Sequence, residues 1–423
     1  MPGTIEKGRL DTGSGAADDA PATHPFHRDP QVLARLGYWA CSRFVMVMMV
    51  FWNKDNVNGE PHLFYEPWAR VLRTGTFPVG DVTWQYPPGA AGAFLAPYLV
   101  PFTNYVQGFL VLTLIADFAI MGGLLWYGTR AGRSLAGSGF WLLGLPLMLM
   151  QPYVHFDVLV TLFAVFGVLC LQGRSWVGGS FAAIGAMIKV WPAFAIFGAP
   201  RGRGLKQAIT GFVAAALALT AIAAVTMRGS FDFLHGQGNR GIEVESLPGS
   251  LLLIAQKLGY HHGEITYRYG SMEIVSAHTP LLSKAMLGLS VLGFAGLLVW
   301  RIVAKRFTDS TPADAAMTAM LVFVVTSRVI SPQYMIWLLG MAAVCLSFRS
   351  TSQRPVAVLL MAATALTTVE YPLFWGPVLW GDTTFRTVLL LRNALLVAAV
   401  LLSCARLWRS TVPSRRERRQ AAR

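Results

Sequence analysis

The chain has 423 residues, of which 54% are hydrophobic and 13% are charged, and its formal net charge is +14. A soluble protein of this length carries about a quarter charged residues, so the composition excludes an ordinary soluble domain. The positive excess lies in short loops and in the C-terminal tail, where cytoplasmic segments of membrane proteins collect it, and we expect no nucleic-acid partner. The arginines of that tail are Arg406, Arg409, Arg415, Arg416, Arg418, Arg419 and Arg423.

Long apolar runs separate the charged segments, and several are long enough to cross ~30 Å of hydrocarbon. Such runs must be helical, because lipid satisfies no backbone hydrogen bonds. The sequence therefore predicts an all-α, polytopic transmembrane helical bundle of about 10–12 spans over residues 36–408. Residues 1–35 lack the apolar stretch of a signal peptide and are predicted to be a disordered cytoplasmic tail. Residues 409–423 are predicted to be a basic cytoplasmic tail.

The first predicted span, residues 36–52, leads into a long polar and aromatic loop at 53–87. Within this loop, residues 62–73 (HLFYEPWARVLR) predict an interfacial amphipathic helix with Trp and Tyr at headgroup level. A short apolar segment at 88–102, which we interpret as a half-span, precedes a clear span at 104–127.

Further spans are predicted at 136–150, 154–172 and 207–227. Before the last of these, the apolar run 176–200 is interrupted by Lys-Val-Trp-Pro. Proline removes a helix hydrogen bond, and a lysine at membrane depth is costly. We therefore interpret this run as a broken hairpin with Lys189 near its outer tip.

A second long loop, residues 229–280, contains a predicted short helix at about 249–258. The remaining predicted spans are 281–304, 313–329, 333–348, 355–371 and 385–407. The basic loops and tail indicate the cytoplasmic side, so both termini are expected in the cytoplasm. By elimination, the outward-facing loops are 53–87, 229–280, 328–334 and 371–383.

The first loop offers three carboxylates, Asp55, Glu60 and Asp81, any of which could act as a general base toward a hydroxyl. The alternative for each is a solvated loop charge. Trp84 and Tyr86, in the segment DVTWQYPPG, offer flat faces that suit a sugar or a membrane interface equally. Both interpretations remain open on the residues alone.

Three cations, Lys189, Arg240 and Arg328, are predicted near the same face and could hold a phosphate group and stabilise it as a leaving group. Snorkelling to the membrane surface is the alternative for Lys189 and Arg328. For Arg240 it is an ion pair with Glu243 or Glu245.

His155 and Asp157 form either a proton relay or a packed polar pair. The four cysteines and the histidine pair at 261–262 show no metal-ligand spacing. We therefore expect neither a bound metal nor a cofactor.

Four segments in order resemble one family: LFYEPWARVLRTGTFP…DVTWQYPPGA (63–90), IKVWPA (188–193), RGIEVES (240–246) and SRVISPQYMIWLL (327–339). The chain resembles the polyprenyl-phosphate-mannose-dependent mannosyltransferases of the GT-C superfamily, specifically glycosyltransferase family eighty-seven of actinobacteria. The resemblance implies a GT-C-like bundle with a helical extracytoplasmic first loop.

The resemblance also implies a catalytic aspartate shortly before a Tyr…Trp-Ala segment. Four residues before Tyr65, where that aspartate is expected, the chain has Pro61. Glu60 is adjacent and Asp55 lies five residues further upstream, so we rank these two equally as the base and Asp81 third.

The implied reaction transfers mannose from a polyprenyl-phosphate donor to a glycolipid or lipoglycan acceptor, inverting the anomeric centre to an α linkage. It would take place on the outer face of a bacterial cell membrane, with Lys189, Arg240 and Arg328 on the donor phosphate. Gln333 and Tyr334 would line the same site. Two alternatives remain: a GT-C enzyme that moves arabinofuranose or glucose, and a transporter or flippase of lipid-linked sugars.

Overall fold

The computed structural model describes residues 26–52, 59–236, 241–260 and 262–413. Two predicted site residues, Asp55 and Arg240, lie outside these ranges. Most of the predicted N-terminal tail and the last ten residues of the predicted C-terminal tail, 414–423, also lie outside them. The first helix begins at Pro30, before the predicted span start at residue 36.

Helices dominate the described chain. In chain order they are α1 Pro30–Trp52, α2 Glu66–Leu72, α3 Ala90–Leu95, α4 Tyr105–Gly128, α5 Ala136–Gly144, α6 Gln151–Val154, α7 Asp157–Cys170, α8 Ser175–Ile188, α9 Arg203–Thr226, α10 Phe233–Gly236, α11 Leu247–Lys257, α12 Thr279–Val303, α13 Thr311–Thr326, α14 Tyr334–Leu346, α15 Arg354–Thr368, α16 Trp375–Trp380 and α17 Thr383–Thr411. Tighter 3₁₀ segments are Phe26–Arg28, Ala96–Leu99, Leu145–Met148 and Trp191–Gly198. Wider π turns are Pro61–Tyr65, directly before α2, and Val369–Leu373, directly after α15.

Within the described ranges, six helices are long and apolar enough to cross a membrane. They are α1, α4, α9, α12, α17 and α15 with its π turn. Six shorter apolar helical segments of 10–17 residues accompany them. These helices confirm the predicted all-α, polytopic membrane architecture.

A small three-stranded sheet in the segment 241–278 was not predicted. Its strands are β1 Ile242–Glu243, β2 Glu264–Arg268 and β3 Ser271–Val275, in the order β1-β3-β2 with both pairings antiparallel. The segment also contains α11, where a short helix was predicted, and Ser246 caps that helix by accepting a hydrogen bond from the backbone of Gly249.

A buried carboxylate attaches α1 to the rest of the bundle. Asp117 on α4 forms an ion pair with Arg43 on α1, with an Nε–Oδ2 distance of 2.8 Å, and both side chains are almost fully buried. Asp117 also accepts hydrogen bonds from Trp39, Trp141 and Tyr153. Five donors to one carboxylate leave no unsatisfied charge, so this cluster is structural.

Helices α8 and α9 approach each other backbone to backbone. A Cβ atom added to Gly179 would lie 1.9 Å from the carbonyl oxygen of Ala208, and one added to Gly211 would lie 2.0 Å from that of Trp176. Only glycine permits such contact. The close packing holds the first turn of α8 against α9.

Candidate active site

Glu60 stands immediately before a π turn. In this turn the backbone N–H of Glu66 donates to the carbonyl of Pro61, five residues earlier. In an α turn, residues four positions apart lie on the same face of the helix, but a π turn holds one residue more, so residues five positions apart do. Glu60 therefore lies on the same face as Tyr65. The hydroxyl of Tyr65 accordingly donates a hydrogen bond to Oε2 of Glu60. Glu60 therefore contacts Tyr65 although it lies five residues before it, whereas the resemblance implies an acid four residues before.

The second oxygen of Glu60 faces His155. His155 Nε2 lies 3.4 Å from Oε1 of Glu60, and its Nδ1 lies 3.1 Å from the carbonyl oxygen of Gln151. Burial alone would raise the pKa of Glu60, but the charge and hydrogen bond of His155, the Tyr65 hydroxyl and the charge of Lys189 together hold this pKa below its ordinary value. About a third of the Glu60 side chain, 34%, remains exposed. An ionised, reachable carboxylate can accept a proton from a bound hydroxyl.

Lys189 lies at the break between α8 and the following 3₁₀ segment. Its backbone is extended, and Pro192 prevents α8 from continuing. Its Nζ donates to Oδ1 of Asp157 at 2.8 Å, and Trp337 Nε1 donates to the same oxygen at 2.6 Å. The lysine side chain is 16% exposed and that of Asp157 is 1% exposed. Asp157 therefore holds a nearly buried ammonium group in one position.

Aromatic rings surround this ammonium group. Nζ of Lys189 lies 4.7 Å from the ring centroid of Trp337, 4.9 Å from that of Phe156 and 5.3 Å from that of Tyr334. Trp337 stacks between Tyr334 and Trp191, with centroid separations of 3.8 and 5.1 Å. The rings stabilise the cation and give the site one flat, rigid wall.

Glu60 and Lys189 line the same cavity of about 370 Å³. Among the described residues that line it, Glu60 carries the negative charge and Lys189 the positive charge. The predicted residues Tyr65, Tyr86, Gln333 and Tyr334 line it too. The other lining residues include Trp68, Thr83, Trp191, Phe233, Tyr269, Ser271, Ser331 and Trp337. The fold thus joins both long loops, the 189–191 break and the 329–337 segment in one site.

The structure places Asp81 and Trp84 outside this cavity. Asp81 accepts hydrogen bonds from Trp68 Nε1 at 2.8 Å, from the Thr83 backbone at 2.8 Å and from the Thr83 hydroxyl at 2.5 Å. Burial would raise the pKa of Asp81, but these three donors hold it below its ordinary value. Trp84 is buried among the rings of Trp68, Phe77 and Tyr86. Both residues therefore support the loop that carries Tyr86.

Arg328 does not line the main cavity. It lines a neighbouring pocket of about 280 Å³ together with Lys284, and Phe323 contributes to the walls of both. The carbonyl oxygen of Arg328 accepts a hydrogen bond from the backbone N–H of Glu243, at 3.0 Å. The strand β1 and the 327–331 segment are therefore joined beside the cavity.

Glu243 and Glu245 are each 4% exposed and do not line the cavity. Ser331 donates to Oε1 of Glu243 at 3.2 Å. Glu245 lies 3.7 Å from Arg392, which also pairs with the buried Glu370. These contacts attach the 241–246 segment to the bundle, so both carboxylates serve the fold.

Sequence reasoning missed most of the other lining residues, and three aromatic ones show why. Trp191 and Trp337 belong to two of the segments that carry the family resemblance, IKVWPA and SPQYMIWLL. Nothing in the sequence shows which way their rings face. Tyr269 lies in the turn of a hairpin that was not predicted. Among the described residues, no group of three or more His, Cys, Asp or Glu side chains is placed to hold a metal ion.

An ionised carboxylate and a fixed ammonium group share one cavity in a bundle of apolar helices, so the fold and site define a polytopic membrane protein with an acid–base site. Residues 84–332 match Glycosyltransferase family 87, GT87. This match covers more than half of the chain, and the chain therefore belongs to that family and is a glycosyltransferase. The chain matches no curated protein in a search of such proteins.

Proposed function

We propose that this protein transfers a mannosyl residue from a polyprenyl-phosphate donor to a hydroxyl of a glycolipid or lipoglycan, on the outer face of a bacterial cell membrane. The observation that carries the proposal is the single cavity shared by Glu60 and Lys189. A glycosyl transfer from a phosphate needs a base for the attacking hydroxyl and a cation for the departing phosphate. The membrane-spanning helices favour donor and acceptor substrates that are lipids.

In the proposed reaction, Glu60 accepts the proton of the acceptor hydroxyl as its oxygen attacks the anomeric carbon. The bond between that carbon and the phosphate oxygen breaks, and polyprenyl phosphate leaves with the electron pair. Lys189, held by Asp157, stabilises the negative charge of the leaving phosphate. Glu60 then releases its proton to water, which restores the carboxylate.

The number of carboxylates in the cavity favours inversion of the anomeric centre. Retaining transfer through a covalent intermediate uses a second carboxylate as the nucleophile, about 5 Å from the first. Of the described residues that line the cavity, Glu60 is the one carboxylic acid. We therefore assign single displacement, which inverts the anomeric centre and gives the proposed α linkage from a β-linked donor.

The test uses the purified protein in lipid nanodiscs with radiolabelled polyprenyl-phosphate-mannose and methyl α-mannoside as acceptor. Glu60→Gln should lower kcat by about 10²–10⁴-fold, because it removes the base. Glu66→Gln is the matched control, since Glu66 lies six residues further along the same helical segment, pairs with His62 and Arg70 and does not line the cavity. Full activity of Glu60→Gln would exclude Glu60 as the base.

Two parallel arms test the donor and the reaction class. Polyprenyl-phosphate arabinofuranose and glucose replace the mannose donor, and faster transfer of either would reassign the sugar. Movement of a fluorescent lipid-linked sugar across proteoliposomes, undiminished in Glu60→Gln, would support a flippase instead.

The membrane side is tested with Arg268→Cys, because Arg268 is exposed on β2. In a variant without native cysteines, this thiol should react in intact cells with an impermeant maleimide. Labelling only after the cells are opened would place the site on the cytoplasmic face.

A further inference from the structure

The hairpin formed by β2 and β3 ends in a two-residue turn. Arg268 pairs with Ser271, which leaves Tyr269 and Gly270 as the connection. Both have positive φ angles, 50° for Tyr269 and 81° for Gly270. Positive φ at both central positions matches the right-handed twist of a tight hairpin.

A tyrosine is an unusual residue for the first of these positions. Its Cβ crowds the backbone in the left-handed region, and such turns prefer Asn, Asp or Gly there. The pairing of the strands imposes the conformation. β3 also pairs with β1 through Ile242 and Ile274, and Val244 donates its N–H to the carbonyl of Met272 at 2.9 Å. The turn therefore cannot relax without breaking the sheet.

The location of the turn suggests a reason for the tyrosine. Tyr269, Gly270 and Ser271 line the cavity that contains Glu60 and Lys189. The hairpin carries exposed polar residues, including Glu264 and Arg268, so it reaches the cavity from the water side. Strained residues concentrate at ligand-binding positions, where the strain is offset by what the side chain does.

We infer that Tyr269 binds the sugar ring of the acceptor and is a specificity-determining residue of this site. The inference rests on the proposed function and adds the group that holds the acceptor. The tyrosine ring provides a rigid apolar face for the C–H face of a sugar. Because Glu60 in the same cavity takes the proton, the ring of Tyr269 orients an acceptor hydroxyl toward that carboxylate.

The acceptor fits this position better than the donor lipid. A polyprenyl chain reaches the site through hydrocarbon, past helices whose apolar side chains are exposed, such as Leu287 and Leu292 on α12. The cation for the donor phosphate, Lys189, belongs to the break after α8 and is surrounded by Trp337, Tyr334 and Phe156. The β2–β3 hairpin, which carries exposed polar residues, therefore contacts the hydrated sugar of the acceptor.

The test substitutes Tyr269→Asn, because asparagine suits the turn while it removes the ring. The acceptor KM for methyl α-mannoside should rise about five- to tenfold, while the KM for polyprenyl-phosphate-mannose changes by less than about twofold. The unfolding temperature should stay the same or rise. Tyr269→Phe keeps the ring and should change the acceptor KM by less than about twofold. Tyr260→Asn is the matched control, since Tyr260 is exposed near the end of α11 and does not line the cavity.

Direct binding separates this inference from the proposed function. Saturation-transfer NMR measures binding of methyl α-mannoside, methyl α-arabinofuranoside and methyl β-glucoside to the nanodisc-embedded protein without any donor. Tyr269→Asn should weaken the best of these several-fold, and Tyr260→Asn should not. Equal binding by the Tyr269→Asn variant and the wild type, or no binding by the wild type, overturns the inference. A wild type that binds a glycoside but consumes no lipid donor overturns the proposed function alone.

Discussion

The ion pair between Lys189 and Asp157 permits a quantitative prediction. In Asp157→Asn the ammonium group, 16% exposed, loses its carboxylate but keeps three aromatic rings within 5.3 Å. Removing one partner of a buried pair costs about 3–5 kcal/mol, and each retained cation–π contact contributes about 0.5–2 kcal/mol. We therefore expect Asp157→Asn to lower the free energy of unfolding by about 3 kcal/mol, at the low end of that range.

Lys189→Met should cost more, about 4–5 kcal/mol. It leaves a carboxylate that is 1% exposed with the hydrogen bond from Trp337, and its Oδ2 has no hydrogen-bond partner among the described residues. The double variant removes both charges, so it should lose less stability than the sum of the two single variants. We expect a coupling free energy of about 2–3 kcal/mol.

Activity should follow a different order from stability. Lys189→Met and the double variant both lack the cation for the leaving phosphate, so kcat should fall about 10²–10³-fold in each. Asp157→Asn retains the lysine and should lose less.

The assays are detergent-induced unfolding, followed by tryptophan fluorescence, and sugar transfer in nanodiscs. Lys284→Met is the control, because Lys284 lines the neighbouring pocket and is exposed. It should change stability by less than about 0.5 kcal/mol. Strictly additive stability losses would refute the coupling between Lys189 and Asp157. A double variant that transfers sugar at the wild-type rate would refute the assignment of this ion pair to the phosphate site.

Three further predictions concern Glu60, Asp81 and Gly89. Because the pKa of Glu60 is held below its ordinary value, kcat/KM should be constant near neutral pH and fall as the pH drops through that lowered pKa. His155→Gln removes a positive charge that lowers the pKa of Glu60, so burial should raise this pKa and move the acid limb of the pH–rate profile to higher pH. An acid limb at the wild-type pH would contradict the pairing of His155 with Glu60. Asp81→Asn should lower the unfolding free energy by about 1–2 kcal/mol with kcat nearly unchanged, and a loss as large as that of Glu60→Gln would make Asp81 the base. A Cβ at Gly89 would lie 2.7 Å from a backbone carbonyl in the last turn of α8, so Gly89→Ala should cost about 1–3 kcal/mol in chemical denaturation. Gly92→Ala is its control, with open space around the added Cβ, and equal costs for the two would contradict the close packing.

The bundle was largely predictable because hydrocarbon imposes helical structure on the apolar runs and a minimum length on the helices that cross it. The predicted spans 104–127 and 281–304 correspond to Tyr105–Gly128 and Thr279–Val303. The interruption at residues 189–192 was also predictable, since proline ends a helix through its own covalent geometry.

The sheet was not predicted, although the sequence contains a signal for it. Apolar residues alternate with polar ones at Ile265 and Tyr267, and again at Met272 and Ile274. The two runs are separated by Tyr-Gly, which lacks the Asn-Gly or Asp-Gly signature of a tight hairpin. When strand pairing imposes a turn, the turn residues themselves need not carry a recognisable turn sequence.

Six of the residues singled out from the sequence line the cavity, but the sequence did not show how the charged side chains pair. His155 and Asp157 were considered as one pair, but the structure gives each a different partner, Glu60 for the histidine and Lys189 for the aspartate. Those partners lie far away in the chain, so only the tertiary fold could bring them together. Local sequence likewise does not show that Arg328 faces a neighbouring pocket.

The π turn before α2 affects how related sequences should be compared. An alignment without a gap sets Pro61 against the acid that the family resemblance implies, and such a chain would be classed as lacking its base. One additional residue accommodated inside a helical turn leaves the downstream Tyr65 in contact with the carboxylate all the same. Under the proposed function, searches for the acid in such sequences should allow spacings of four and five residues and should accept glutamate as well as aspartate.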